Sequence, residues 1–388
     1  MNIIEWNNIP YEGDSKSYQV YSKIDGVFYR PRIYSSSTVS WLSINLNDNY
    51  TSEGYKLTYT VSKNEGGNSG KTFIELSSTT CSEILEIDVV QKDKKPLPQY
   101  TISFVQDGNA SQNIRVNGNI VYRSNSSDKE CTFVYTGYIT SLKNMIMDDN
   151  HIYSLDVSGI DASNITDLSY MVGSSSSISA ITGMDLWDVS NVTTMFSMFG
   201  SYGYGGHSLT ELDDIGKWDV SNVTTMACMF QECAKLKNLD AISSWNTRSV
   251  TSFHSMFWGC ISISSFKFLE NWNTSSLTDT SSMFRACRYS GITSIDLSKW
   301  DASQLVNAQG MFSDINYIPE INLSNWNTNS LTNIGLMFLN TGGTSLINLS
   351  GWNTSKVTNM QETFEACYSL TEIKGTLDMS SVTSATQM

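Results

Sequence analysis

Seven tryptophans recur at nearly constant intervals in the second half of the chain. They are Trp187, Trp218, Trp245, Trp272, Trp300, Trp326 and Trp352, spaced 31, 27, 27, 28, 26 and 26 residues apart. Ile160 and Leu377 extend the column in both directions. A repeat of this length is typical of a solenoid, in which each unit buries its apolar side chains only against neighbouring units.

Other residue types keep a fixed distance from each tryptophan. The next position is always Asp or Asn, position +5 is always Val or Leu, and positions +11 and +12 are Met-Phe in six of the seven copies. Positions +5, +8 and +12 share one side of a helix, so we predict a short helix there, capped by the Asp or Asn side chain. The alternation in ITSIDLSKW (292–300) and IPEINLSNW (318–326) predicts a brief strand before each tryptophan.

Each repeat thus predicts a strand, a turn and a short helix. Coils stacked through strand pairing, about 4.8 Å apart, would make a rod roughly 40 Å long with the tryptophans inside it. The pattern W-[DN]-x-S-x-V-x-x-M-x-x-M-F-x-x-C-x-x-L resembles the leucine-rich-repeat-like units of mycoplasma-type lipoproteins and BspA-like bacterial surface proteins. The resemblance covers residues 150–388, in about eight coils of 26 residues with the last one incomplete. It implies a leucine-rich-repeat-like α/β solenoid, a location on cell surfaces and a link to adhesion.

Residues 1–92 do not show the repeat and instead contain short β-rich runs separated by Gly, Asn and Ser turns. Such spacing predicts an antiparallel β-sandwich. The order WLSINL, YTVSKNEGGNSGKTFIEL and IDVVQ resembles the BACON domain, an immunoglobulin-like module of Bacteroidetes proteins and of phages that infect those bacteria. Gly70-Lys71 stands where that family usually has Arg-Gly. The resemblance implies an Ig-like sandwich and an association with carbohydrate or mucin binding.

Two further segments lie between the sandwich and the repeats. Residues 93–99 are charged and contain prolines, which predicts a linker. Residues 100–149 hold β-like runs such as YTISFVQ and CTFVYTGYI. Because the first coil of a solenoid needs a cover over its exposed edge, we predict that 100–149 is a β-rich N-terminal cap.

Composition excludes several functions. A net charge of −14 and a pI near 4.6 argue against a nucleic-acid partner, because phosphate binding needs clustered Lys and Arg. No apolar run is long enough to cross a bilayer, so we predict no direct membrane insertion. The chain shows no nucleotide-binding or metalloprotease motif, and its three histidines occupy unrelated repeat positions. We therefore predict no catalytic residue, no metal and no cofactor.

Three cysteines in consecutive coils share one repeat position. Cys233, Cys260 and Cys287 all lie at +15, where consecutive coils would bring them close. Ile315, Thr341 and Cys367 occupy the same position in later coils, as expected of a small packing site. We favour buried thiols over disulfides.

Position −4 from each tryptophan lies between two inward strand residues, and its side chain should point outward. An outward polar stripe is a candidate contact surface on a solenoid, while a merely solvated stripe is the alternative. The stripe consists of Asp156, Asp214, Phe268, Asp296, Asn322 and Asn348.

These features predict a non-enzymatic, surface-exposed structural or adhesion protein. The N-terminus, MNIIEWNNIPYEGD, lacks the basic and apolar regions of a secretory signal. We therefore expect a phage virion component, a head or tail fibre that engages the host surface or its glycans, with other virion or cell-surface proteins as partners. Fibres are usually symmetric, so we expect a homo-oligomer. The alternatives are a bacterial cell-surface (lipo)protein adhesin and the accessory carbohydrate-binding region of a glycan-degrading enzyme.

Overall fold

The computed structural model divides the chain into two units, residues 1–97 and 98–388. For the first 96 residues it describes only the backbone of the strands. With side chains it describes 97–201, 208–212, 215–288 and 292–388. The predicted linker at 93–99 lies mostly outside the described residues.

The N-terminal unit consists of β-strands in two main sheets. Its strands are β1 (Ile4–Ile9), β2 (Asp14–Val20), β3 (Lys23–Ile24), β4 (Val27–Phe28), β5 (Pro31–Tyr34), β6 (Leu42–Thr51), β7 (Gly54–Val61), β8 (Gly70–Ser77) and β9 (Ser82–Gln91). One sheet has the order β1-β9-β8-β5 and the other β2-β7-β6, while β3 and β4 form a hairpin. All these pairs are antiparallel except β1–β9, which is parallel. An Ig-like sandwich depends on side chains outside the described residues and stays a prediction.

A small antiparallel arrangement covers the first strand of the solenoid. Its strands are β10 (Gln99–Gln106), β11 (Asn113–Val116), β12 (Asn119–Arg123) and β13 (Glu130–Thr136). Strand β10 pairs antiparallel with β13 on one side and with β14 (Ile152–Asp156) on the other. The two segments approach so closely that a Cβ at Gly159 would lie 2.4 Å from the carbonyl oxygen of Thr101. Strand β10 therefore occupies the hydrogen-bonding edge that β14 would otherwise expose.

Residues 139–388 form a parallel β-solenoid of about eight turns beyond residue 150. A single column of parallel bridges links one residue of every coil to the next. The column is Ser141, Asp167, Thr194, Thr225, Ser252, Asp279, Asn307, Asn333, Asn359 and Ser384. Its first residue, Ser141, lies within the segment predicted as the cap. Residues 139–146 thus already form a coil, in which Ile139, Leu142 and Ile146 are buried as in the later coils.

The segment before each tryptophan is a strand in some coils and a 3₁₀ helix in others. The strands are β15 (Ala180–Thr182), β16 (Ser294–Asp296), β17 (Glu320–Asn322), β18 (Leu346–Asn348) and β19 (Glu372–Lys374), and the 3₁₀ helices are η1 (Met184–Leu186), η2 (Ile215–Lys217), η3 (Asp240–Ser244) and η4 (Lys267–Asn271). Strands β14 and β15 pair in parallel, and β16 to β19 form a parallel sheet in sequence order.

The spacing of buried residues explains the difference. Ile295 and Leu297, two apart, are buried before Trp300, as a strand requires. Before Trp245 the buried pair is Leu239 and Ile242, three apart, and the Ile242 N–H donates to the Leu239 carbonyl at 3.0 Å. The predicted strand is therefore wrong for the coils that carry η3 and η4, where the apolar period is three.

The predicted short helix after each tryptophan is also wrong, and the solenoid is β rather than α/β. The backbone N–H of Met195 (+8) donates to the Thr225 carbonyl of the next coil at 3.1 Å, and that of Ser197 (+10) to Ala227 at 2.9 Å. The N–H of Met198 closes a turn on Met195, and Ser197 has a left-handed φ of 50°. Because alternate N–H groups bind the neighbouring coil, they are not available for helical hydrogen bonds.

The interior consists of ladders of identical side chains, as the repeat predicts. The tryptophans stack with ring centroids 5.6 to 6.3 Å apart in the five pairs at which stacking is seen. The phenylalanines at +12 stack at 5.4 to 6.0 Å from Phe199 to Phe364. Each tryptophan also donates its Nε1–H to a carbonyl of the preceding coil, as Trp245 does to Ile215 at 2.9 Å.

Within the described residues, no helix is both long and apolar enough to span a membrane.

Candidate functional site

Three of the six predicted stripe residues form one column. Asp296, Asn322 and Asn348 lie in register on β16, β17 and β18, and Lys374 continues the column on β19. Asp156 is exposed on β14, in the separate sheet near the cap, where it lies opposite Thr182. Among the described residues, the stripe therefore extends over the last four strands only.

The other two predicted residues do not extend this stripe. Phe268 lies in η4 and is 2 % exposed, so the prediction that its side chain points outward is wrong. It faces the core because the 3₁₀ turn changes which positions point inward, and its ring contacts Phe257 at 5.8 Å. Asp214 lies outside the described residues.

The stripe side chains also shape the backbone. Oδ1 of Asp296 accepts the backbone N–H of Ser298 at 2.9 Å, and Oδ1 of Asn348 accepts that of Ser350 at 3.1 Å. Burial opposes ionisation of Asp296, but hydrogen bonds from Ser298 and Asn322 outweigh it and hold the pKa below its ordinary value. Asp296 is therefore a carboxylate at neutral pH.

Asp296 also lines a cleft of about 290 Å³ between the coil of η4 and the coil of β16. The cleft forms where the apolar period changes from three to two. Strand β16 is the edge of its sheet, and no backbone hydrogen bond joins 292–296 to 264–271 in the described part of the chain. The strand ladder is thus interrupted at this point, although the bridge column continues from Asp279 to Asn307.

The walls of the cleft are mostly polar. Hydroxyl groups come from Ser264, Ser265, Thr293 and Ser294. Lys267, Glu270 and Asp296 supply charge, and Glu270 pairs with Lys299 at 3.0 Å. Such a set of donors and acceptors suits a polar, hydroxyl-rich ligand. The repeat pattern does not predict this cleft, although the change from FKFLENW to SIDLSKW in the sequence marks its position.

The two carboxyl groups of the cleft do not have the properties of a glycosidase pair. Such enzymes need one carboxylic acid whose pKa is raised, so that it is protonated at working pH. The pKa of Asp296 is lowered instead, and Glu270 is held in an ion pair. Asp296 is therefore not the protonated acid that such a reaction needs.

The rings of the two described histidines are hydrogen-bonded to neighbouring side chains. His254 Nδ1 lies 2.7 Å from Ser281 Oγ and His254 Nε2 lies 3.2 Å from the buried Ser255 Oγ, while Ser281 Oγ also contacts Asp279 Oδ1 at 2.7 Å. The carboxylate of Asp279 thus reaches the histidine only through Ser281, whereas in a catalytic triad the carboxylate contacts the histidine directly. His151 pairs with Asp107 at 2.8 Å, and that hydrogen bond raises the pKa of His151. No group of three potential metal ligands occurs in the described ranges.

Cys233, Cys260 and Cys287 at +15 are buried free thiols, as predicted, whereas Cys367 at the same position is partly exposed. Cys260 Sγ donates to the Phe230 carbonyl at 3.0 Å and Cys287 Sγ to the Phe257 carbonyl at 3.0 Å. Burial raises the pKa of the Cys287 thiol to about 12. These groups are part of the ladder between coils.

A column of threonines at +6 forms a second polar face. The threonines whose side-chain hydroxyl bonds to the preceding coil are Thr166, Thr193, Thr224, Thr251, Thr278, Thr332, Thr358 and Thr383. Each Oγ1 donates to a carbonyl of the preceding coil at 3.0 to 3.3 Å. The hydroxyl donors of this face therefore connect coils and are not free for a ligand.

The bridge column, the stacked interior ladders and the polar faces define a protein built from repeated coils, a β-solenoid with cover strands at its start. Residues 140–203, 201–318 and 288–388 match the model of a family described as "Mycoplasma protein of unknown function, DUF285". These matches cover more than half of the chain, which therefore belongs to that family. The comparisons found no matching curated protein and no matching solved structure.

Proposed function

We propose that the chain is a non-enzymatic structural and adhesion protein of a surface. In this proposal the solenoid is a stiff spacer, and the cleft beside β16 binds a polar ligand such as a glycan. One observation carries the proposal: every tryptophan from Trp187 to Trp352 donates its indole N–H to the preceding coil. Units joined in this way cannot move independently, which suits a spacer that holds a binding site in a fixed position.

The specific form we propose is a head or tail fibre component of a phage virion. The resemblance of residues 1–92 to the BACON domain supports it, since that module is found in phages of Bacteroidetes. A bacterial cell-surface adhesin is the second candidate. The family match favours this second form, because the family description names mycoplasma proteins. The partners differ accordingly: virion proteins in the first form, and cell-envelope proteins in the second.

Binding is tested with the full chain on a glycan array and on bacterial cells. Asp296→Asn removes one of the two negative charges of the cleft but retains an oxygen that can accept the Ser298 N–H. Asp301→Asn is the matched control, because Oδ1 of Asp301 accepts the Ser303 N–H at 2.9 Å and lies outside the cleft. We expect binding that Asp296→Asn weakens and Asp301→Asn leaves unchanged.

Three results would contradict the proposal. Absence of binding to every glycan and cell would leave only a structural role. Release of product from a bound glycan would show an enzyme. Equal loss in both variants would place the ligand elsewhere. Immunogold labelling of virions and of cells then decides between the two forms.

A further inference from the structure

A cluster of charged and aromatic side chains lies on the turns that follow the tryptophans in three successive coils. Its members are Trp258, Arg285, Arg288 and Asp314, which come from the coils of Trp245, Trp272 and Trp300. Both guanidinium groups pair with the one carboxylate: Arg285 Nε lies 3.6 Å and Arg288 Nη2 3.3 Å from its oxygens. These four side chains therefore carry a net charge of +1, in a chain whose net charge is −14.

The carboxylate of Asp314 has no capacity for a further partner. Oδ1 accepts Asn340 Nδ2 at 2.9 Å, and Oδ2 accepts the Ser313 hydroxyl at 3.1 Å. The Arg288 Nε–H donates to the backbone carbonyl of Asp314 at 3.4 Å. Asp314 is thus a fixed anchor, and within the described residues it is the only acidic side chain paired with either arginine.

Arg285 is held from two sides while one end of its guanidinium remains free. Its Cζ lies 5.0 Å from the centre of the Trp258 ring, and its Nε faces Asp314. Its two Nη groups make no hydrogen bond within the described part of the chain, and the side chain is 41 % exposed. Two parallel Nη–H donors in a fixed plane match the two oxygens of a carboxylate or the oxygens of a sulfate.

We propose that Arg285 binds the anionic group of an acidic polysaccharide, with the half-exposed ring of Trp258 beside the sugar that carries it. The backbone on this side favours such a ligand over an acidic peptide. The N–H groups of Gly259, Ala286 and Asp314 all donate to the following coil. No strand edge is therefore available to a peptide, and recognition must come from side chains. This inference rests on the proposed adhesion function and names the ligand class of a second site.

The test uses biolayer interferometry with the full chain. The immobilised probes are polygalacturonate, which carries carboxylates, dextran sulfate, neutral dextran and polyglutamate. Arg285→Gln removes the charge, and Arg285→Lys retains it without the planar pair of donors. Arg248→Gln is the matched control, because Arg248 is exposed and lies at +3 of the coil of Trp245, away from the cluster.

We expect an acidic polysaccharide to bind and the affinity to fall as salt is added. Arg285→Gln should raise Kd at least about tenfold, since hydrogen bonds to charged groups contribute about 1.5–3 kcal/mol. Arg285→Lys should give an intermediate loss, and Arg248→Gln should change Kd less than about twofold. Preference for polygalacturonate or for dextran sulfate identifies the anion as carboxylate or sulfate, and either supports the proposal.

The proposal is overturned if neither acidic polysaccharide binds, if polyglutamate binds as well as they do, or if Arg248→Gln and Arg285→Gln weaken binding equally. Unchanged binding of Arg285→Gln to an acidic polysaccharide would remove this site, and continued binding of the chain to cells or neutral glycans would leave the adhesion function in place. Loss of all binding by Asp296→Asn alone would assign adhesion to the cleft instead.

Discussion

Replacing Trp245 by alanine tests whether the interior ladder holds the coils together. Trp245 is 3 % exposed and stacks between Trp218 and Trp272, with centroids 6.2 Å away on both sides. Its Nε1–H donates to the Ile215 carbonyl at 2.9 Å. The substitution therefore removes two ring contacts and one hydrogen bond between coils.

The expected cost follows from these contacts. Truncation of a buried aromatic side chain to alanine costs about 3–5 kcal/mol. Because Trp245 lies between two rings and its carbonyl partner becomes unsatisfied, we expect about 4–5 kcal/mol for Trp245→Ala. Trp245→Phe keeps a ring but removes the N–H donor, so about 2 kcal/mol is expected, most of it from the buried Ile215 carbonyl.

Urea unfolding followed by far-UV circular dichroism measures both variants. Tyr368→Ala is the control, because its aromatic side chain is 89 % exposed and its removal should change stability by less than about 0.5 kcal/mol. A loss below about 1 kcal/mol for Trp245→Ala, or one no larger than that of Tyr368→Ala, would refute the ladder as the source of stability. The unfolding slope must also be compared, since single coils can open before the rest.

Three further predictions concern turns, thiols and the cap. Hydrogen bonds from Ser163 and Ser221 lower the pKa of Asp161 and Asp219 in the folded chain. The stability that these carboxylates contribute is therefore present above the unfolded pKa of about 3.9 and is lost as the pH falls through the folded pKa. The free energy of unfolding should fall less steeply below about pH 4 in Asp219→Asn, and an unchanged acid profile would contradict this. Cys260 and Cys287 should not react with a thiol reagent at pH 8 in the folded chain, because burial raises the pKa of both thiols. The half-buried Cys367 should react first, and mass spectrometry of the labelled chain checks the order. Gly159→Ala should cost about 1–3 kcal/mol of stability, since its Cβ would meet the Thr101 carbonyl oxygen at 2.4 Å. Gly118→Ala is the comparison, because its new Cβ would have nothing within 4 Å but the residue has a φ of +77°. It should cost about 1–2 kcal/mol of backbone strain alone, and thermal melts compare the two variants.

The tryptophan column made the solenoid predictable. A side chain that recurs in phase through seven repeats must have equivalent neighbours in each, and stacking is the arrangement that provides them. The buried thiols were predictable for the same reason, because Ile315 and Thr341 fill the position of Cys287 in later coils. In-phase identity therefore reports contacts between coils reliably.

The conformation of each coil was less predictable. Spacings of three and four are shared by a helix and by successive turns whose N–H groups alternate between local and inter-coil acceptors. Periodicity cannot separate the two, since both place Val192, Met195 and Phe199 inward. The left-handed backbone conformation at +10 could be predicted from the sequence only where the residue is glycine, as at Gly310 with φ +61°. At Ser197 the same conformation occurs in a residue that gives no such sign.

The candidate sites were predictable only in part. The outward position of Asp296, Asn322 and Asn348 followed from alternation, and failed at Phe268 because that coil has a period of three. The cleft and the Arg285 cluster depend on differences between coils rather than on the repeat. A repeat analysis averages such differences away.

The same contrast indicates where recognition can arise in a solenoid of this kind. In the coil of Trp218 every second backbone N–H from +8 to +14 donates to the following coil, while the N–H and the hydroxyl of Thr224 at +6 donate to the preceding one. A change there would disturb two interfaces at once, so this part of the coil has little freedom to vary. The segment before the tryptophan tolerates both a strand and a 3₁₀ helix, as η4 and β16 show on adjacent coils. Binding chemistry can therefore change in that segment, and in the side chains outside the turns, without loss of the core.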